Sequence, residues 1–371
     1  MPADPLPPLP GEWRPVIDGV IAPLPDGAAV LVVAATDRGK TTFVAQAARA
    51  LSAHGDRTAV VDADIGQSEI GPPGTVGVAW ADPASAKMHD LKPAAQFFVG
   101  AFGASALPLE HAVATARAVQ FARDAGARRI LIDTTGFVSG PTAHRLKIAK
   151  AMLCRPAVVV AFEREGDGID NLVRALCAAS GARRHLMPAP EAVGRKSASL
   201  RATRRLSRLS QALTGAREFP LALGSLAILG ATLGTGDPVP ADQARWAGTA
   251  LALPVVYAEK ADGVLTLYAN GPAPRPGWES GAGPITDHFK ARAVRALSLP
   301  AHHDVLLGLH DGAGKLLAVG RFVRLDLERA YLIVSARLPE SAAERVRLVA
   351  FGRVRVAADG SPGPEVRPGE I

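Results

Sequence analysis

Residues 28–43 read Ala-Ala-Val-Leu-Val-Val-Ala-Ala-Thr-Asp-Arg-Gly-Lys-Thr-Thr-Phe. Eight apolar residues in a row suit a strand buried on both faces, and the run ends at Thr36-Asp37-Arg38-Gly39, residues that favour a loop. Beyond Lys40, the apolar residues Phe43, Val44, Ala47, Ala48 and Leu51 recur at helical spacing. Strand, glycine loop and helix in this order form a phosphate-binding P-loop. Its N–H groups and the helix N-terminus cradle phosphates, Lys40 reaches the β and γ phosphates, and the Thr41 hydroxyl reaches Mg²⁺. The expected ATP-binding residues are therefore Thr36, Asp37, Arg38, Gly39, Lys40, Thr41 and Thr42. Ala34 stands where the usual motif has its first glycine, a change that costs little if the residue keeps a negative φ.

Outward from the loop the alternation repeats. Compact apolar runs at 58–64, 96–103, 128–136 and 157–162 read as buried parallel strands, and residues 110–125 and 141–153 read as crossover helices. The expected architecture is α/β: a P-loop NTPase-type doubly wound parallel sheet, followed by a smaller β-rich C-terminal domain. Three segments are predicted. Residues 1–27 form a Pro-rich, loosely ordered lead-in with a short strand near Trp13–Ile21. Residues 28–236 form the P-loop domain. Residues 237–371, with short Pro- and Gly-punctuated strands, form the β-rich domain, and the Gly- and Pro-rich stretch 271–278 reads as a loop.

The 371 residues carry a net charge of +7, unevenly spread. Residues 183–217 hold nine Lys/Arg against one acid, Glu191, and the rest is close to neutral. One local anionic partner explains this better than a generally sticky surface. Within the segment, Arg201, Arg204, Arg205 and Arg208 follow i, i+3, i+4, i+7 spacing and share a helix face. That face is either simply solvated or an arginine-bearing lid over phosphates, where guanidinium forks neutralise spreading charge. No aromatic residue interleaves there, so base stacking is not its role.

Two further strand ends carry acids. Asp62-Ala63-Asp64-Ile65-Gly66-Gln67 continues to Pro72-Pro73-Gly74-Thr75, and Asp133-Thr134-Thr135-Gly136-Phe137 closes another strand. Carboxylates at the carbonyl ends of parallel strands face the ligand crevice. Either aspartate of the first pair can reach a metal or a nucleophile, or cap the next helix. Asp133 can likewise hold metal through water or act as a cap.

Cys154 and Cys177 lack metal-site spacing and read as reduced, buried thiols. His302-His303 reads as surface rather than metal ligand. The N-terminus lacks a basic start followed by an apolar core, and no run suits a membrane helix; a cytoplasmic location without membrane partners is expected.

TDRGKTTF, DADIGQSEIGPPGT, DTTGFVSG, and Lys196-Ser197 followed by Arg201 and Arg205 together resemble the polynucleotide 5′-hydroxyl kinase family. That family includes the kinase subunit of the mRNA cleavage and polyadenylation machinery and the nucleolar kinase of ribosomal RNA processing. The tail strands also resemble its β-rich C-terminal domain, so the likeness spans roughly residues 28–360. It implies ATP- and Mg²⁺-dependent transfer of the γ-phosphoryl to a 5′-hydroxyl end of RNA or DNA. By the resemblance, Lys40 holds the phosphates, Thr41 and Asp64 the metal, with Asp62 and Asp133 as lesser candidates. Asp64 takes the hydroxyl proton, and Arg201 and Arg205 close over the phosphates. Gln67, Pro73, Gly74, Thr75, Thr135 and Phe137 line the nucleic-acid channel, Phe137 replacing a frequent tryptophan. A nucleotide-driven switch, a scaffold subunit without transfer activity and a small-molecule kinase are the alternatives. The absence of NKxD or TKxD after the 157–162 strand disfavours a GTP switch, intact Lys40, Thr41 and Asp64 count against the scaffold, and the basic segment disfavours the small-molecule kinase.

Overall fold

The computed structural model describes residues 11–85, 87–190, 197–272 and 277–371. The chain divides into two compact units, Met1–Arg208 and Leu209–Ile371.

In the first unit, α1 (Arg14–Val16) runs directly into a π-helical turn (Ile17–Ile21). The elements that follow are β1 (Ala28–Ala34), α2 (Lys40–Ala53), β2 (Thr58–Ala63), β3 (Thr75–Trp80), β4 (Pro93–Phe98), α3 (Pro108–Asp124), β5 (Arg129–Thr134), α4 (Pro141–Cys154), β6 (Val158–Glu163), α5 (Asp170–Ser180), β7 (Arg183–Pro188) and α6 (Ala198–Leu213), whose last turn belongs to the second unit. The seven strands lie in the order β4-β3-β2-β5-β1-β6-β7. β2, β5, β1, β6 and β7 are parallel, whereas β3 and β4 add an antiparallel edge. The 96–103 run, expected as a parallel strand, therefore lies partly in an antiparallel edge strand. Its apolar pattern reports burial and is silent about direction.

Side chains of β1 alternate between two layers. Leu31 and Val33 join one core with residues of α3, α4 and α5, and Val30 and Val32 join the other with residues of α2. The second core also absorbs the lead-in. Trp13, Val16, Ile17 and Ile21 are buried, and the Trp13 ring meets Phe43 and Phe162 edge-on at 5.4 and 5.9 Å. The expected strand at 13–21 is thus helical, because its apolar positions 13, 16, 17 and 21 follow a helical stripe rather than a two-residue alternation.

The basic segment 183–217 divides between elements: residues 183–188 form the edge strand β7, and the arginine repeat lies on α6. Residues 191–196, including Lys196 of the lid reading, lie outside the described residues, as do residues 1–10 of the lead-in and 273–276 of the loop at 271–278.

The second unit contains β8 (Arg217–Ala222), β9 (Ala227–Leu229), β10 (Asp237–Pro238), α7 (Ala241–Ala250), β11 (Val255–Ala261), β12 (Val264–Ala269), α8 (Gly283–Phe289), β13 (Ala293–Ser298), β14 (Val305–Asp311), β15 (Leu316–Asp326), β16 (Tyr331–Ala336), α9 (Glu340–Ala343), β17 (Val346–Val356) and β18 (Pro362–Glu365). One sheet runs β10-β11-β12-β13. The other runs β18-β17-β14-β15-β16-β8, with β9 added on β17. β8 and β9 lie before residue 236, yet they pair with β16 and β17. The β-rich unit therefore begins before the boundary expected at 236/237. His302, expected at the surface, is fully buried among aromatic rings.

Candidate functional site

The carbonyl ends of β1, β2 and β5 sit side by side, with Val32 of β1 and Asp62 of β2 both in register with Asp133. Whatever follows these three strands must share one crevice. Ala34 closes β1 as a buried strand residue without positive φ, so the missing glycine costs nothing. The loop then turns through Asp37 (φ 56°) and Gly39 (φ 83°) into α2. A glycine suits the second position because it enters the left-handed region freely.

Lys40 is buried and its Nζ donates to Ala35 O at 2.8 Å, folding back over the loop. Burial holds its pKa below the usual lysine range, against the pull of Asp133. The next residue, Thr41, donates from Oγ1 to Asp133 Oδ2 at 2.6 Å. Asp133 is buried and its Oδ1 has no hydrogen-bond partner among the described residues. Burial raises the Asp133 carboxyl to about 6, with the Lys40 charge and the Thr41 hydroxyl opposing.

The two acids after β2 behave differently. Asp62 Oδ2 accepts the N–H groups of Glu69 (2.6 Å) and Ile70 (2.9 Å), and Oδ1 accepts that of Asp64 (3.1 Å). Its oxygens organise the loop rather than face the crevice. Asp64 is half-buried, and its Oδ1 accepts the N–H groups of Gly66 (3.2 Å) and Gln67 (3.1 Å). Its Oδ2 accepts no hydrogen bond among the described residues.

These groups line a cleft of about 410 Å³, bordered by Thr36 to Thr42, Asp64, Gly66, Gln67, Glu69, Phe102, Ala104, Thr135, Gly136, Phe137, Arg201 and Arg205. Of the channel residues named from the sequence, Gln67, Thr135 and Phe137 border it directly. Pro73 borders an adjoining cavity. Gly74 and Thr75 border neither; Thr75 Oγ1 donates to Pro72 O at 2.7 Å and Gly74 N–H to Ile65 O at 2.9 Å, which fixes the turn into β3.

Arg201 and Arg205, the arginines of the lid reading, both border the cleft. Arg201 Nη1 donates to Asp37 Oδ2 at 3.3 Å. Arg205 lies over the Phe102 ring at 5.2 Å, and its buried Nε has no partner among the described residues. Burial lowers the Arg205 pKa, and the nearby Asp64 charge opposes that shift. Arg38, by contrast, spends its guanidinium on Asp167, with Nε to Oδ2 at 2.8 Å and Nη2 to Oδ1 at 2.7 Å. This fork fastens the P-loop to the loop after β6.

The sequence reading passed over Phe102 and Asp167, which come from loops without a motif, and Gly136 as a contact. Gly136 packs so tightly on Thr36 that an added Cβ would lie 2.3 Å from Thr36 Oγ1. It also passed over Lys147, whose buried Nζ donates to Thr134 Oγ1 and Thr135 O, both at 2.7 Å. Lysines on a crossover helix carry no signal of burial.

A P-loop with its lysine and threonine, acids on the two neighbouring strand ends and arginines from a following helix define a P-loop phosphotransferase. The model of the mRNA cleavage and polyadenylation factor CLP1 P-loop family matches residues 34–213. A polyribonucleotide 5′-hydroxyl-kinase of Thermococcus kodakarensis is 29% identical over 334 residues, 89% of each chain. One of Pyrococcus furiosus is 26% identical over 339 residues, 89% of this chain and 88% of the relative. Among solved structures, the wild-type Clp1p–Pcf11p (454–563) complex aligns with a TM-score of 0.54 at 10% identity, over 93% of this chain and 77% of that one. The chain is thus similar to the polynucleotide 5′-hydroxyl kinases over most of its length and to the CLP1 P-loop family over residues 34–213. Among the described residues no helix is long and apolar enough to cross a membrane.

Proposed function

We propose that this protein transfers the γ-phosphoryl of ATP to the 5′-hydroxyl end of a polynucleotide, with RNA the favoured acceptor. The observation that carries the reading is the gathering in one cleft of Lys40 and Thr41, the open oxygen of Asp64, and Arg201 with Arg205. Phosphoryl transfer asks for positioning and charge neutralisation more than for covalent chemistry, and these groups supply both. Lys40 and the loop N–H groups would hold the phosphates. Asp64, whose Oδ1 is fixed by two N–H groups, would accept the hydroxyl proton through Oδ2. Arg205 brings an unpaired Nε to the same space, and Arg201 needs only to leave Asp37 to reach the phosphates.

Thr41 and Asp133 fit Mg²⁺. Asp133 Oδ1 is a buried acceptor without a partner, beside the hydroxyl that reaches metal in a P-loop. Such an ion keeps several waters and takes one or two protein ligands plus phosphate oxygens, so a complete cage of side chains is not required. Bound there, it would neutralise phosphate charge. Asp133 thus takes precedence over Asp62, whose oxygens already serve the backbone, and Asp64 contributes at most from farther off. The preference for RNA rests on the names of the relatives, both polyribonucleotide kinases. A cytoplasmic place of action accords with the free thiols of Cys154 and Cys177.

The test is incubation with γ-labelled ATP, Mg²⁺ and matched 5′-hydroxyl RNA and DNA oligonucleotides, with Lys40→Ala as control. Label should appear on the 5′ end, more on RNA, and vanish with Lys40→Ala. ATP hydrolysis without labelled oligonucleotide would overturn the reading in favour of a nucleotide switch.

A further inference from the structure

Beside the P-loop lies an ion pair that the chemistry above leaves without a task. β1 and β6 run side by side, with Ala34 opposite Phe162, so the loops that follow them start as neighbours. Arg38 donates from Nε to Asp167 Oδ2 at 2.8 Å and from Nη2 to Oδ1 at 2.7 Å, a planar fork on a carboxylate. Its remaining nitrogen, Nη1, lies 3.4 Å from Thr36 O and 3.5 Å from Asp37 O. One guanidinium thus holds the next loop and, from its other side, two carbonyls of its own. Asp167 is fixed in turn. Its Oδ2 also accepts the Arg164 N–H at 3.0 Å, its own N–H donates to Arg164 O at 3.0 Å, and Arg164 Nη2 donates to Pro190 O after β7 at 3.0 Å. At 12% and 9% side-chain exposure the pair is poorly screened, unlike the open surface pairs that contribute little. Hydrogen bonds from Arg38 hold the Asp167 carboxyl below the usual aspartate range, so the fork stays charged.

We infer that Arg38 and Asp167 form a positioning pair that holds the P-loop crest in its phosphate-accepting shape before ATP arrives, and that Arg38 does not itself grip the phosphates. The inference rests on the reading above, in which this loop receives ATP. A nest of N–H groups faces a phosphate only while the carbonyls between them are held away. The crest resists that shape, because Asp37 sits at φ 56°, where a residue with a Cβ is held at a cost. The Arg38 guanidinium on the carbonyls of Thr36 and Asp37 opposes relaxation, and Asp167 keeps the guanidinium there. Asp167 is not among the residues that border the cleft, so its influence on the nucleotide passes through Arg38. A direct phosphate contact by Arg38 would require the fork to open and give up both of its charge-assisted hydrogen bonds.

The two roles open to Arg38, brace or phosphate contact, make opposite predictions for Asp167→Asn. The experiment measures the dissociation constant of MgATP by titration calorimetry for wild type, Arg38→Ala, Asp167→Asn and the double variant, with thermal melts to check folding. Arg38→Ala should weaken MgATP about tenfold, the cost of ordering one residue's backbone at the moment of binding. Asp167→Asn should weaken it at least about fivefold, the effect of losing one arm of the fork. The double variant should be no weaker than Arg38→Ala, because both residues act through one contact. Arg38→Lys keeps the charge but cannot form the fork, so its affinity should match that of Arg38→Ala. If Arg38 instead grips the phosphates, Asp167→Asn releases it, and MgATP should bind as tightly as to wild type or more tightly; that result would overturn the inference. Wild-type affinity in Arg38→Lys would overturn it too, as would lowered melting temperatures with unchanged dissociation constants, which would make the fork a stabilising tie alone. These constants are read without turnover, so they decide the pair even where no label reaches an oligonucleotide, the separate result that sinks the kinase reading.

Discussion

Gly136 couples the two halves of the cleft through a single missing methyl group. A Cβ there would lie 2.3 Å from Thr36 Oγ1 and 2.7 Å from Thr36 N, distances at which the P-loop backbone itself must move. Thr36 borders the place proposed for the phosphates, and Gly136 follows Thr135 on the side proposed for the acceptor, so one contact would set the spacing between donor and acceptor. Overpacking of this kind costs about 1–3 kcal/mol, and here it falls on a surface cleft rather than a core. Gly136→Ala should therefore keep its fold and raise the KM for ATP at least about tenfold, the equivalent of roughly 1.4 kcal/mol. Steady-state kinetics with varied ATP would check it, and an unchanged KM would show that the loop yields without consequence.

Helix α4 looks in sequence like an ordinary crossover, yet it aims two lysines inward. Lys147 grips the Thr134 hydroxyl and Thr135 carbonyl, and Thr134 in turn donates to Val32 O of β1. Lys150 Nζ lies 2.7 Å from His111 Nε2, which is 2.9 Å from Ala63 O, one residue before Asp64. The helix thus braces the ends of the two strands that present Asp133 and Asp64. Burial lowers the Lys147 pKa well below the usual lysine range, and the charge of Lys150 adds to the effect. Replacing Lys147 by methionine removes a desolvated ammonium but leaves the Thr135 carbonyl without its donor, an orphan that costs about 1–3 kcal/mol. The two effects oppose, so Lys147→Met should stay within about 2 kcal/mol of wild-type stability. It should nevertheless lose at least about tenfold in kcat, because Thr135 and Gly136 are no longer held. Thermal melts beside single-turnover assays separate these effects, and an unchanged kcat would reduce α4 to a packing element. Nothing in the spacing of Lys147 and Lys150 announces this role, because sequence pattern treats lysine as solvated and cannot see a hydrogen bond to a strand end.

At the scale of the molecule, the first unit was legible wherever neighbours in sequence are neighbours in space. The β1–loop–α2 passage and the crossovers α3 and α4 follow from local periodicity, and the acids after β2 and β5 lie where parallel strands end. The second unit was less legible because β8 and β9 find their partners more than 100 residues later, in β16 and β17, and no local pattern encodes such pairing. The same non-local packing buries His302, a residue that reads as polar surface. Its Nδ1 lies 3.2 Å from Ser298 O, its Nε2 has no partner among the described residues, and its ring packs near those of Tyr268, Phe322 and Phe351. Burial pulls its pKa down to about 4, whereas an unfolded chain protonates histidine near 6.5. Between these values the unfolded chain binds more protons than the folded one, so stability rises with pH. The contribution is complete above about pH 6.5 and drains away as pH falls toward 4, by on the order of 3 kcal/mol. His302→Leu keeps the site apolar and removes the titration. Urea unfolding of wild type at pH 7, 5.5 and 4.5 should show a steep decline in midpoint, and the variant a shallower one. Parallel declines in the two proteins would mean that other groups govern acid unfolding and that the buried ring does not.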